Sequence, residues 1–193
     1  MKRVHAGCCL AVWAGMVLGV GSSGADETGT PAGPSPRAVE AIQLLSSRDP
    51  YQRQTGFLRL EALREPATIE TITTYLRSQD PDMRAYSVRA LAAIQGAAAA
   101  PALLAILRDD RHPDVRRAVL LGLEPLQAND PAILPAFLTA LNDRHPEVRM
   151  TAVDIVSRIN EPRAREALLV RNKRESNRNV RRVLSLAMKR IRM

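Results

Sequence analysis

Arginines recur at a nearly constant spacing along most of the chain, and their side chains are the ones best suited to repeated chemistry. They occupy positions 53, 84, 116, 149 and 181, so the steps between copies are 31, 32, 33 and 32 residues. A guanidinium is planar and permanently charged. The spacing therefore puts one cation into each of five similar segments.

The residues that precede each arginine predict the element that holds it. One copy reads Asp80-Pro81-Asp82-Met83-Arg84, and the others begin Asp49-Pro50, His112-Pro113, His145-Pro146 and, in a degenerate form, Asn177-Arg178. A polar residue before proline caps free backbone N–H groups, and proline is tolerated in the first helical turn because it gives up no bond there. Each arginine should therefore lie near the start of a helix.

Apolar residues follow each arginine at helical spacing. Seven residues further on stand Leu60, Leu91, Leu123, Val156 and Met188, and ten residues further on stand Leu63, Ile94, Leu126, Ile159 and Ile191. A shorter helical pattern precedes each capped start, so each segment is predicted to be a helical hairpin. A period near 32 residues is typical of a repeat array, in which no unit can bury its apolar face alone.

At this point the sequence resembles the HEAT-repeat family, including its lyase-type HEAT-like branch, whose second helix opens with an Asp-Pro-x-Val-Arg run. The resemblance implies an all-α fold, an α-solenoid of about five stacked hairpins over residues 36–192. The units are 36–64, 66–95, 98–127, 131–160 and 162–192. The first and last units depart from the pattern, with Gln52 in place of the valine and Arg178 in place of the proline.

The resemblance also implies a role for the recurring arginines. In HEAT repeats this arginine bonds to acidic or carbonyl groups of the neighbouring unit and forms a ladder along the stack. Candidate partners in this chain are Asp82, Asp114 and Glu147. A direct role in binding a partner is the alternative for the ladder set, which comprises Arg53, Arg84, Arg116, Arg149 and Arg181.

The N-terminal region predicts export. Lys2 and Arg3 precede an apolar stretch over residues 6–20, and small residues lead to a cleavage site after Ala25, as in a secretory signal peptide over residues 1–25. A retained membrane anchor and a lipoprotein signal at Cys8 or Cys9 are the alternatives. The polar residues 26–35 should form a disordered leader, and the mature protein should be secreted or periplasmic without a transmembrane span.

Basic charge is concentrated near the C-terminus. The formal net charge of the chain is +8, and residues 163–193 hold eleven Lys or Arg against Glu166 and Glu175. This charge predicts either a soluble outer face for a terminal repeat or a patch that binds an acidic protein, an anionic envelope polymer or a membrane surface. Nucleic acid is not expected as a partner of an exported protein. The basic patch is Arg171, Lys173, Arg174, Arg178 and Arg181.

Catalysis and metal binding have little support in the sequence. Phosphate loops, nucleophile elbows and zinc-protease motifs are missing, and both cysteines lie in the predicted signal. His112 and His145 occupy equivalent positions in adjacent repeats, where a weak metal site is conceivable, but other repeats carry Asp or Asn there. We therefore expect no enzyme activity, no cofactor and no metal, with a lyase-type enzyme as the remote alternative.

The sequence thus favours a scaffold that binds another protein along the groove lined by its second helices. Binding of an anionic polymer or membrane surface by the last repeat is the alternative. The groove residues are predicted from exposed positions outside the apolar helix faces. They are Arg59, Arg89, Arg117, Asp154 and Arg182.

Overall fold

The structure is a computed structural model that describes residues 33–191, except for the side chains of residues 128 and 129. Within that range every regular element is helical, so the predicted all-α class is confirmed. The predicted signal peptide and most of the leader lie outside the described residues. The helices are α1 Pro36–Leu45, α2 Pro50–Leu63, α3 Ile69–Tyr75, α4 Pro81–Gln95, α5 Ala100–Asp109, α6 Pro113–Leu123, α7 Ile133–Ala140, α8 Pro146–Val156, α9 Pro162–Arg174 and α10 Arg178–Arg190.

Side-chain caps start several of the second helices, as the Asp-Pro pattern predicts. Asp49 accepts a hydrogen bond from the backbone N–H of Tyr51, and Asp80 accepts one from Asp82, both at 2.9 Å. These bonds satisfy donors that a helix leaves free at its start. Ser35, which the sequence assigned to the leader, caps α1 and donates to Glu65 at 2.6 Å, so it belongs structurally to the first unit.

The ten helices form five hairpins that stack in chain order. Each second helix packs against the next, through the pairs α2–α4, α4–α6, α6–α8 and α8–α10, whereas successive first helices contact one another much less. A two-layer stack curves toward its more closely packed layer. The second helices therefore line the concave side of the array.

One apolar core runs through all five units. Each hairpin contributes side chains from both helices, such as Ala41 and Phe57 in the first unit and Leu168 and Leu184 in the last. Phe57 is 1% exposed and lies edge-on to Tyr75 of the second unit, with 5.5 Å between ring centroids. Because these contacts cross from one unit to the next, the units stabilise each other.

The stretch Pro81–Asp109 is long enough to cross a membrane, and an 18-residue window within it has a mean hydropathy of 1.9, as in a membrane-spanning segment. In the fold it is divided into α4, a 3₁₀ turn at Gly96–Ala99 and α5, and Gly96 has a φ of +54°. Val88, Leu91 and Leu103 of this stretch are buried in the core of the array. We therefore interpret it as two core helices of the second and third units.

Gly56 marks the closest approach between the two helices of the first unit. A Cβ at this position would lie 2.7 Å from the carbonyl oxygen of Ala41 and 2.8 Å from Cδ2 of Leu45. The equivalent residues of later units are larger, for example Val119 and Leu184. Only in the first unit, therefore, does the packing require a residue without a side chain.

Gly56→Ala should destabilise the protein by about 1–2 kcal/mol. Alanine favours a helix over glycine by about 1 kcal/mol, but forcing a methyl group against backbone costs more than that. Urea denaturation measures the effect, and Gly33→Ala is the control because nothing lies within 4 Å of its added Cβ. Equal or higher stability of the Gly56 variant would show that α1 moves away at little cost.

Candidate functional site

Four of the five recurring arginines form rungs between consecutive units. In the third rung, Nε and Nη2 of Arg116 each donate to Asp143 at 2.7 Å, and Nη1 donates to the carbonyl oxygens of Asp110 and Arg111 at 2.9 and 3.0 Å. Arg116 thus ties the loop of its own unit to the loop of the next. Arg84 and Arg149 repeat this arrangement with Asp110 and Glu175.

The partners of the ladder differ from those predicted. Asp82, Asp114 and Glu147 were the candidates, but they lie in the first turns of the second helices and do not bond to an arginine of a preceding unit among the described residues. The true partners lie before these helices, in the loop that joins the two helices of the next unit. The prediction failed because helix position alone does not show which residue of a loop faces the neighbouring unit.

A constant position supplies the carboxylate in most rungs. Asp110, Asp143 and Glu175 each stand six residues before the arginine of their own unit, and each also accepts the backbone N–H two residues later at 2.8 Å. In the first two units this position holds Ser47 and Ser78. The regular recurrence of an acid at this position was a sequence signal that could have identified the partners.

The first rung is weaker than the others. Because the second unit has serine at the usual position, Arg53 bonds instead to Asp80, which is also the helix cap, through one contact of 3.4 Å. The two side chains are 23% and 39% exposed, compared with 4% and 13% for Arg116 and Asp143. Exposed pairs of this kind contribute little to stability. The ion pair between the first two units is therefore the weakest of the four rungs.

Glu175 is the most enclosed carboxylate of the ladder. Its side chain is 0% exposed, and it accepts two hydrogen bonds from Arg149 at 2.9 Å, two from Arg171 at 2.9 and 2.5 Å, and one from the backbone of Asn177 at 2.8 Å. Burial alone raises the pKa of Glu175, but the hydrogen bonds from Arg149, Asn177 and Arg171 outweigh it and lower the pKa from 4.5 to about 2. Glu175 is therefore an anion at neutral pH.

The predicted basic patch divides into two groups. Arg171 is 15% exposed and paired with Glu175, so its charge is already compensated. Lys173, Arg174, Arg178 and Arg181 are exposed. Arg181 differs from the other ladder arginines because no carboxylate of the described residues pairs with it. The side chains left to form a basic surface thus lie at the end of α9 and the start of α10.

A stripe of exposed residues runs across the concave side. In every unit the residue five positions after the ladder arginine is exposed, and these five residues form the exposed row. We call this row, together with the residues one and nine positions after each ladder arginine, the second-helix surface. Three of the five are leucines with exposures of 44%, 50% and 60%. The sequence prediction missed the leucines because it placed only charged residues in the groove. The row is Leu58, Arg89, Leu121, Asp154 and Leu186.

The structure brings four of the five predicted groove residues onto this surface. Arg89 and Asp154 belong to the exposed row, and Arg117 and Arg182 lie one helical turn before it. Arg59 lies one residue beyond the row, where the equivalent Ala90 and Ile155 are buried against the preceding unit. Arg59 therefore lies on the N-terminal end face of the stack rather than in the groove.

Ion pairs neutralise much of the charge on the second-helix surface. Arg89 pairs with Glu61 at 3.1 Å, and Arg117 pairs with Asp114 at 3.0 Å. Arg158 bridges Glu124 at 2.6 Å and Asp154 at 2.7 Å. These side chains are 32–53% exposed, so a partner could displace the pairs at small cost.

Neither histidine lies in a metal site among the described residues, where no group of three potential ligands occurs. Nδ1 of His112 accepts the backbone N–H of Asp114 at 3.4 Å, which is a weak helix cap, and His145 makes no side-chain cap. A hollow of about 670 Å³ lies beside Glu124 and Arg158 at one end of the second-helix surface. It contains acids, cations and apolar groups without an arrangement that indicates one reaction.

The repeated helical hairpins are shared with known proteins. A family model of HEAT repeats matches residues 39–124 and 100–189, which together cover most of the chain. The chain belongs to the HEAT-repeat family. No curated protein matches this HEAT-repeat chain.

Two solved structures resemble the HEAT array. A chain from the complex of CpcE and CpcF of phycocyanin lyase from Nostoc sp. PCC7120 shares 25% identity at a TM-score of 0.63, and the match covers 78% of this chain and 97% of that one. An engineered protein shares 17% identity at a TM-score of 0.50, with 80% and 79% covered. The second likeness concerns the fold alone.

A double-mutant cycle should identify the carboxylate partner of the HEAT ladder. Arg116→Met and Asp143→Asn should be coupled by about 1–3 kcal/mol in urea denaturation, because they remove the two ends of one buried ion pair. The matched cycle of Arg116→Met with Asp114→Asn should give less than about 0.5 kcal/mol. Equal coupling in both cycles would contradict the observed rung.

Glu175→Gln should make the HEAT domain less stable at pH 7 by about 3 kcal/mol, the equivalent of a pKa lowered from 4.5 to about 2 at 1.36 kcal/mol per unit. Because the folded-state pKa is the lower one, this contribution is fully present above pH 4.5 and is lost as the pH falls through about 2. The wild-type and variant stabilities should therefore converge near pH 2 in a series of urea denaturations.

Glu166→Gln is the control for this experiment, since Glu166 is exposed on the same helix. It should leave the pH dependence unchanged. Parallel curves for wild type and Glu175→Gln between pH 5 and pH 2 would show that Glu175 does not stabilise the fold as an anion.

Proposed function

We propose that this protein is a secreted or periplasmic HEAT-repeat scaffold that binds another protein along its second-helix surface. The observation that carries the proposal is the row of exposed leucines on the concave side. Leu58, Leu121 and Leu186 lie in the first, third and fifth units, and their side chains are exposed to solvent instead of packed in the core. Exposed apolar side chains arranged on one face are typical of protein interaction sites.

The dimensions of the row favour an elongated partner. Packed helices lie about 8–10 Å apart, so leucines two units apart are separated by about 20 Å. A partner that contacts all three leucines must extend about 40 Å across the array. A long helix or an extended segment fits this requirement better than a small molecule.

The charged residues between the leucines set the direction in which a partner lies along the row. Arg89 and Asp154 have opposite signs and alternate with the leucines, so the row carries a cation in its second unit and an anion in its fourth. Each charge already has an exposed intramolecular partner, which a binding protein could replace at small net cost. Affinity should therefore come mainly from the leucines and direction from the charges.

The solved structures agree with a role in association. The similar Nostoc chain comes from a complex of two proteins. That complex belongs to a phycocyanin lyase, so a lyase-type enzyme is the remote alternative for this chain. The predicted export would separate this protein from a reaction of that kind. The absence of enzyme activity remains a prediction.

A second candidate function rests on the basic patch. Lys173, Arg174, Arg178 and Arg181 are exposed near one end of the array, where an anionic envelope polymer or membrane surface could contact them. Such binding would depend mainly on charge, and it would weaken steeply as salt increases. Binding through leucines would persist.

Replacing Leu58 and Leu121 with aspartate should weaken partner binding more than tenfold, because burial of each leucine contributes about 1.5–3 kcal/mol. The melting temperature should stay within a few degrees, since neither side chain is in the core. The partner can be captured from an envelope fraction with the mature chain, purified, and its dissociation constant measured at low and high salt by biolayer interferometry.

Leu169→Asp provides the control, because Leu169 is also exposed, at 45%, but lies on a first helix. It should bind as the wild type does. An equal loss from Leu169→Asp would contradict the second-helix surface, and loss of binding at high salt in the wild type would favour the basic patch.

A further inference from the structure

The filled rungs define what a ladder arginine binds. In rungs two to four the arginine holds both oxygens of a carboxylate through Nε and Nη2, at 2.7–3.1 Å. In each case the carboxylate comes from the loop before a helix of the next unit. The weaker first rung also binds a loop carboxylate, that of Asp80. Three copies of one local structure thus bind a carboxylate in the same bidentate way, and the first rung binds one through a single contact.

The fifth ladder arginine, Arg181, has the same guanidinium, but no carboxylate of the described residues binds it. Arg181 lies at the start of α10, as Arg149 does at the start of α8, but its side chain is exposed. The nearest loop carboxylate, Glu175, is enclosed by Arg149 and Arg171. Because α10 contains no Asp or Glu, its own sequence cannot neutralise Arg181.

The end face around Arg181 is built for a polar occupant rather than for another stacked helix. Four residues after each ladder arginine, the first four units carry Phe57, Val88, Leu120 and Val153, all buried. The last unit has the exposed Ser185 at this position and Lys189 one turn later. At these two positions a further hairpin would find no apolar residue to cover.

Two more arginines widen the site. Arg178 and Arg182 flank Arg181, and with Asn179 they line a hollow of about 600 Å³. Three guanidiniums within the first turns of one helix, together with the positive end of its dipole, favour more than one negative charge. The occupant should therefore carry two or more carboxylates close together.

We propose that Arg181, with Arg178 and Arg182, is a docking site for an acidic loop of a partner protein, and that one Asp or Glu of the loop occupies the Arg181 guanidinium as Asp143 occupies that of Arg116. This end site shares Arg182 with the second-helix surface, but it does not depend on the function proposed for the leucine row. A carboxylate is favoured over a phosphate because all four occupied rungs bind one. A loop is favoured over a flat membrane because the rungs receive their acid from loops.

A second copy of the chain fits this site less well. Its first loop has Ser47 where the third to fifth units have an acid, so it would offer only Asp49, the equivalent of Asp80 in the weak first rung. Its N-terminal end face also carries Arg59, which would approach the cations of α10. Head-to-tail stacking would therefore bring like charges together. The occupant should be a different protein.

The test uses a fluorescein-labelled peptide Ser-Asp-Glu-Asp-Ser, blocked at both ends, and its amide counterpart Ser-Asn-Gln-Asn-Ser. Fluorescence anisotropy with the mature chain should show binding of the acidic peptide only. Arg181→Lys keeps the charge but removes the planar pair of donors, and it should weaken binding about tenfold. The matched Arg174→Lys variant should stay within about twofold of the wild type. Nε–Hε signals in a ¹⁵N spectrum, assigned with the Arg181 variant, should show the Arg181 signal shifting on titration.

Several outcomes would overturn the proposal. One is an equal effect of Arg181→Lys and Arg174→Lys, which would mean attraction by net charge alone. Another is binding to phosphatidylglycerol vesicles that exceeds binding to the peptide and does not change in Arg181→Lys. A third is self-association in light scattering that Arg181→Lys abolishes, which would make a second copy the occupant. Unchanged melting temperatures would show that the variants are folded. Failure of the peptide to bind would contradict the end site but not the function proposed for the leucine row.

Discussion

The ion pair between an arginine of one unit and a loop carboxylate of the next determines how the hairpins are arranged. A single hairpin exposes too much apolar surface to fold alone, so it depends on its neighbours, but apolar contact is not directional. The guanidinium adds direction. Arg116 binds the carbonyl groups of its own loop with one nitrogen and Asp143 of the next unit with two others, so it sets both the distance and the orientation between two loops. A buried pair of this kind gives modest net stability, but loss of one partner leaves a charge in the protein interior.

The layer of second helices carries both the ladder and the candidate binding surface. The arginines lie at the starts of these helices, and the exposed row lies five residues later, more than one turn further along. Each rung therefore fixes the position of an exposed side chain in its own unit relative to the next. The rung that positions Leu58 relative to the next unit is the longest and most exposed of the four.

Charge serves three purposes in this array, and the environment of each side chain distinguishes them. In the rungs it is buried and bidentate, and burial there opposes ionisation, yet the pKa values of Asp110 and Asp143 are still lowered by arginine and backbone donors. On the second-helix surface the charges form exposed pairs that are easily replaced. At the start of α10 the cations face solvent without acids nearby. Only the last two groups are available to a partner.

The repeat period, the helix starts and the order of the hairpins followed from the sequence alone, because local spacing and capping determine them. Proline after a cap at Asp80 starts a helix whatever surrounds it, and Leu91 and Ile94 define an inner face by helical periodicity. The sequence also located the ladder arginines. Only the tertiary structure decided which acids complete the rungs, since Asp143 and Glu147 lie four residues apart but only Asp143 binds the arginine of the preceding unit. It likewise placed Arg59 on the end face and Leu121 on the concave surface, because exposure at a given helix position depends on whether a neighbouring unit covers it.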